Sequence, residues 1–139
     1  MNPIARLMGI VACCAALAGT GSGPARAEGG IGLELNKLET VGKGCRVYMV
    51  FANRTSRAIT SYKPDLVFFD SDGVIAERLV VEGGPLPAGK TRVKLFDVQA
   101  LACTSVGRVL LNDLRACDGA EACLAATDTT SRAGVAFIK

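Results

Sequence analysis

A chain of 139 residues carrying a net charge of +3, no histidine and no tryptophan has room for one domain. Without histidine, the commonest general base is missing, and so are the Ser–His and Cys–His nucleophile pairs. The small positive balance gives no electrostatic footprint for nucleic acid or an anionic membrane.

The first segment reads as a signal peptide over residues 1–27. Arg6 supplies the positive n-region, Leu7 to Gly19 is an apolar h-region, and Ala25-Arg26-Ala27 matches the small-x-small cleavage pattern. Cleavage is expected between Ala27 and Glu28. The apolar run is shorter than the roughly 20 residues that a membrane-spanning helix needs. Ile10-Val11-Ala12-Cys13 loosely matches a lipoprotein box, but almost no h-region would precede that cut. Arg6 has no neighbouring arginine, so the general secretory route is expected, with a periplasmic destination and no transmembrane segment in the mature chain. Loss of Arg6 and Arg26 lowers the net charge from +3 to +1.

Four cysteines then remain: Cys45, Cys103, Cys117 and Cys123. An even count in an exported domain predicts disulfides, and four cysteines allow three pairings. Cys45–Cys103 with Cys117–Cys123 is favoured, because the second pair closes the short polar excursion Asp118-Gly119-Ala120-Glu121. Zinc is the rival use of four cysteines. It is disfavoured because the chain has neither a C-x-x-C pair nor histidine. A labile redox role for Cys117 and Cys123 is the alternative function, although five intervening residues do not make a thioredoxin-type pair.

In chain order, Ile31 to Leu38 alternates as a first strand, and Val41 to Gly44 turns the chain. Cys45, Val47, Met49 and Phe51 fall on one face of the next strand, with Arg46, Tyr48, Val50 and Ala52 on the other. Asn53-Arg54-Thr55-Ser56 is a polar turn that also spells a glycosylation sequon, read as coincidental. Past Pro64, Asp65 to Asp70 is apolar on both faces, as in a central strand. Asp70-Ser71-Asp72-Gly73 predicts a hairpin turn. It is not an EF-hand loop, because Val74 stands at a ligand position and Gly73 comes two residues early. Val74 to Val81 returns, and Gly83 to Gly89 forms a proline-rich connection. Lys90 to Val98 resumes the alternation. Gln99 to Ser105 and Glu121 to Ala126 are expected as short helical turns. Val106 to Leu114 is a strongly apolar strand, Thr127 to Arg132 a polar connection, and Gly134 to Lys139 a closing strand. The sum is an all-β, antiparallel sandwich of about seven strands, immunoglobulin-like and disulfide-stapled, over residues 28–139. A Greek-key barrel is the next choice.

Gly84-Pro85-Leu86-Pro87-Ala88-Gly89-Lys90-Thr91 satisfies the nucleotide-binding pattern G-x-x-x-x-G-K-[ST]. The chemistry contradicts the match. Pro85 and Pro87 lack the N–H groups that cradle phosphate, and Arg92 to Val98 has the β-branched, period-two character of a strand. No nucleotide, metal or other cofactor is therefore expected. The carboxylate pairs Asp70 with Asp72 and Glu77 with Glu82 read as solvated turn or surface groups, and no catalytic residue is named. The expected partner is an envelope protein or peptide.

The layout of Phe51-Ala52-Asn53-Arg54-Thr55, Leu66 to Gly73 and Pro87-Ala88-Gly89-Lys90-Thr91 resembles the secreted β-sandwich modules of the FxLYD type. Glu34 to Glu39, Ala88 to Asp97 and Gly107 to Asp113 resemble an uncharacterised group of exported bacterial proteins known as "Tat pathway signal sequence domain protein". That resemblance implies an exported protein and assigns no catalytic residue. The leader departs from the group's export route, because it lacks the twin arginine.

Overall fold

Every second residue of the chain from Cys45 to Phe51 is buried, and this period of two separates an inner from an outer sheet face. The computed structural model describes residues 29–118 and 123–139. The leader with its Ala27–Glu28 cleavage site lies outside the described residues, as does the start of the helical turn expected at Glu121. The strands are β1 Ile31–Val41, β2 Gly44–Asn53, β3 Ser61–Asp70, β4 Ile75–Val80 and β5 Thr91–Val98, then β6 Val106–Asp118, β7 Thr127–Ser131 and β8 Ala136–Ile138. They form two four-stranded sheets, ordered β5-β2-β1-β7 and β4-β3-β6-β8. The protein is an all-β sandwich. Leu33, Leu35, Val47, Met49 and Phe51 of the first sheet share one core with Leu66, Phe68, Val109 and Leu111 of the second. Phe51 meets Tyr62 edge-on across the layers, with ring centroids 6.2 Å apart.

Two features differ from the sequence-based expectation. The sheets are mixed, because β7 pairs parallel with β1 and β8 pairs parallel with β6. Neither strand is reached by a hairpin from its neighbour. Both follow crossovers between the sheets, so no tight turn imposes antiparallel pairing. The second difference is β7, which stands where a polar connection was expected. Its Thr-Asp-Thr-Thr-Ser lacks apolar alternation, yet threonine is β-branched and suits an extended edge. Thr127 anchors it: its hydroxyl donates to the Cys123 carbonyl at 2.7 Å and accepts from the buried Tyr62 hydroxyl at 3.0 Å. Burial pushes the Tyr62 phenol up to about 12.

Local details fit their residues. Pro64 lies within β3, where the register against β6 shifts between Lys63 and Pro64, so its missing N–H interrupts no regular ladder. Asp70 closes the β3–β4 hairpin by accepting from the N–H groups of Asp72 and Val74, and Gly73 has a φ of 81°. Of the two expected helical turns, the first is a 3₁₀ turn at Cys103–Ser105, and residues 123–126 form turns without a helix.

The structure holds the disulfides Cys45–Cys103 and Cys117–Cys123, with sequence separations of 58 and 6. The first joins the start of β2 to the crossover between β5 and β6. By loop-closure entropy the long link contributes about 4 kcal/mol and the short one about 2 kcal/mol. Urea unfolding of the Cys45→Ala/Cys103→Ala and Cys117→Ala/Cys123→Ala variants tests this, and the first is expected to lose more stability.

Candidate functional site

The segment that imitates a phosphate loop has its backbone donors engaged within the fold. The N–H groups of Gly83 and Gly84 both donate to the Tyr62 carbonyl. Leu86 donates to Ile59, Gly89 to Thr55 and Lys90 to Pro87. Leu86, at a variable position of the pattern, is a fully buried core residue. A Cβ on Gly84 would come within 2.7 Å of the Tyr62 backbone nitrogen, so this glycine answers to close packing and not to a ligand. Beyond Lys90 the chain continues as β5, with no helix N-terminus to face an anion. Asn53 completes the fastening: its Nδ2 donates to the carbonyls of Leu86 and Arg57 at 2.9 and 2.8 Å. The amide of the apparent sequon is therefore a buried structural donor, turned away from any sugar.

The outer face of the second sheet carries a buried carboxylate that sequence reasoning does not single out. Asp65 lies on the central strand β3 and is fully covered. Arg78 of the adjacent β4 grips it through Nε and Nη2 at 3.0 and 2.6 Å, and Arg115 of β6 through Nε and Nη2 at 3.0 and 2.8 Å. Asn112 adds a longer contact. The Arg78 bonds, helped by Arg115 and Asn112, outweigh desolvation and lower the Asp65 carboxyl to about 2. Both arginines remain half exposed, so the cluster is a saturated clamp binding three strands together. Nearby, the Arg108 guanidinium lies 4.4 Å over the Phe69 ring.

A cleft of about 620 Å³ opens on the outer face of the first sheet. The pleat alternation that buries Phe51 and Met49 turns Ala52 and Val50 outward as its floor, beside Gly32 of β1. Register places Thr91, Ala52, Gly32 and Asp128 in one row across all four strands. Val93, Val50, Glu34 and Thr130 form the next row. The small residues at the centre of the first row make the surface concave. Arg54 leans over Gly32 so closely that a Cβ there would be 2.5 Å from its guanidinium nitrogen. At the other end Arg132 bonds Glu34 at 3.1 Å. The Asn36 amide first, and Arg132 after it, hold the Glu34 carboxyl below the usual carboxylate range. Among the described residues, neither the Arg54 guanidinium nor the Asp128 carboxylate has a hydrogen bond or ion pair. The rim thus offers one free donor fork and one free acceptor above a neutral, partly apolar floor.

Of the motif residues singled out in the sequence, Arg54 and Thr91 reach the cleft and the others do not gather here. The four cysteines staple the frame, Asp70 closes a hairpin, and Glu82 pairs with Lys63 on the surface. The cleft residues come from β1, β2, β5 and β7, so no sequence spacing marks them. Asp65 did leave a signal: a single acid inside the apolar run of a central strand requires cationic partners. No family model, curated protein or solved structure matches this chain.

The Asp65 clamp carries a pH-dependent share of stability. Because the folded pKa lies below the unfolded value, this share is present above about pH 4. It is lost as pH falls through about 2. Asp65→Asn is expected to lower unfolding free energy by about 2 kcal/mol at neutral pH. The gap from wild type should narrow between these two pH values in urea titrations.

Proposed function

We infer that this chain is a non-catalytic binding or assembly module of the cell envelope, exported to the periplasm by the general secretory route. The observation that carries this reading is the cleft on the first sheet, where unpartnered Arg54 and Asp128 flank a floor of Gly32, Ala52 and Val50. Concave surfaces with a few converging polar groups over apolar floor are the usual form of a binding site. A rigid support favours the same role. β1 and β2 are the two inner strands of their sheet, and Cys45–Cys103 fastens the crossover that leaves β5 to β2. The leader pattern and the two disulfides support an oxidising compartment. Among the described residues no helix is long and apolar enough to cross a membrane.

Structure also bears on thiol–disulfide exchange by Cys117 and Cys123. Cys123 is buried at 8% exposure and Cys117 is half-buried, which favours a stapling role for the pair.

Ala52→Phe fills the floor of the cleft without touching the core. Immobilised wild-type protein is expected to retain a periplasmic component that Ala52→Phe does not, with equal thermal unfolding midpoints for the two. Equal retention by both, or equilibration of Cys117–Cys123 at potentials well above about −300 mV with thiol-exchange activity, contradicts the reading.

A further inference from the structure

Strand β5 ends the first sheet with its outer side unpaired, and its two faces differ in chemistry. Val93 and Leu95 point to the outer face, beside Val50 and Tyr48, and are 57% and 51% exposed. Arg92 and Lys94 occupy the opposite, core-side positions, across from Phe51 and Met49. In an interior strand those two positions would be apolar. Here they stand at the open margin, Arg92 exposed and Lys94 half-buried with Nζ 3.4 Å from the Gly84 carbonyl. A strand added beyond β5 would place alternate side chains beside each set.

We propose that the β5 edge accepts an extended peptide whose residues alternate between acidic and apolar, the acids facing Arg92 and Lys94 and the apolar residues covering Val93 and Leu95. Charge complementarity selects this occupant. A second copy of β5 is disfavoured in the registers centred on Val93 or Lys94, where antiparallel self-pairing sets Arg92 against Lys94 or Lys94 against Lys94, and like charges directly opposite repel. A wholly apolar strand would desolvate Arg92 without a partner and leave Lys94 only the Gly84 carbonyl. An alternating acidic strand satisfies the cations and completes the ladder, while its apolar face removes two of the most exposed aliphatic side chains from water. The other open edge on this side, β4, lacks the same pattern. Its outward arginine, Arg78, is already engaged by Asp65.

The proposal rests on the binding role inferred above but uses the β5 edge, which adjoins the cleft at Thr91. Its readout is the charge preference set by Arg92 and Lys94, neither of which lines the cleft, so its failure is distinguishable from the failure of the Ala52→Phe experiment. Capped peptides of alternating glutamate and valine, and of alternating lysine and valine, are titrated into the disulfide-bonded domain and followed through backbone amide shifts. The glutamate peptide is expected to bind saturably, about tenfold tighter than the lysine peptide at low salt, with shifts centred on Thr91 to Val98. Arg92→Glu/Lys94→Glu should reverse the preference, and unchanged β1 and β3 shifts verify that this variant remains folded. Three results overturn the proposal: no saturable binding by either peptide, a preference insensitive to the charge reversal, or β5 shifts that follow protein concentration alone and so report a second copy. The first of these leaves Arg92 and Lys94 as guards against strand pairing.

Discussion

Period-two burial along β2 is the constraint on which the other elements depend. Val47, Met49 and Phe51 enter the core with no exposure, and the residues between them are forced outward. A one-residue slip would bury Arg46, Tyr48 and Ala52 and expose the three apolar chains, so the register of β2 is strongly specified. β2 is also paired on both sides, with β1 and β5. Its alternation therefore fixes the inner faces of both neighbours. The same pleat presents Val50 and Ala52 as a floor and turns Arg92 and Lys94 toward the open margin of the core. Cleft and edge are thus consequences of one packing decision.

The connection from Gly83 to Lys90 shows how similar letters serve different physics. Its glycines and lysine match a phosphate-binding pattern, but the backbone donors are taken up by Tyr62 of β3, by the β2–β3 connection and by the segment itself. Asn53 donates to the Leu86 carbonyl, and Tyr62 supplies a carbonyl to two glycine N–H groups. Leu86 is a core anchor, with no exposure. The segment is held from inside, and it leads into an extended edge strand.

Much of this fold is legible in the sequence because alternation and turn chemistry are local signals. β2, the Asp70–Gly73 hairpin and the strand after Lys90 all announce themselves within ten residues. β7 does not, because Thr127 to Ser131 has no apolar alternation and gains its place from parallel pairing with β1 and from the Tyr62–Thr127–Cys123 hydrogen bonds. Mixed sheet direction is equally hidden, being a property of crossovers and not of any strand. The cleft is illegible for a similar reason. Gly32, Ala52, Thr91 and Asp128 become neighbours only through register across four strands. Asp65 lies between these cases: its burial is readable in an apolar run, but its partners Arg78 and Arg115 are set by pairing with β4 and β6.

The most direct test of the account is backbone amide exchange and secondary chemical shifts over Asn53 to Val98, recorded with and without magnesium–ATP. Slow exchange at Gly84 and Leu86, extended shifts from Thr91 to Val98 and no nucleotide-dependent change are predicted, as befits donors consumed by the fold. Helical shifts after Lys90, or saturable nucleotide-induced changes at Gly84 to Thr91, would contradict it.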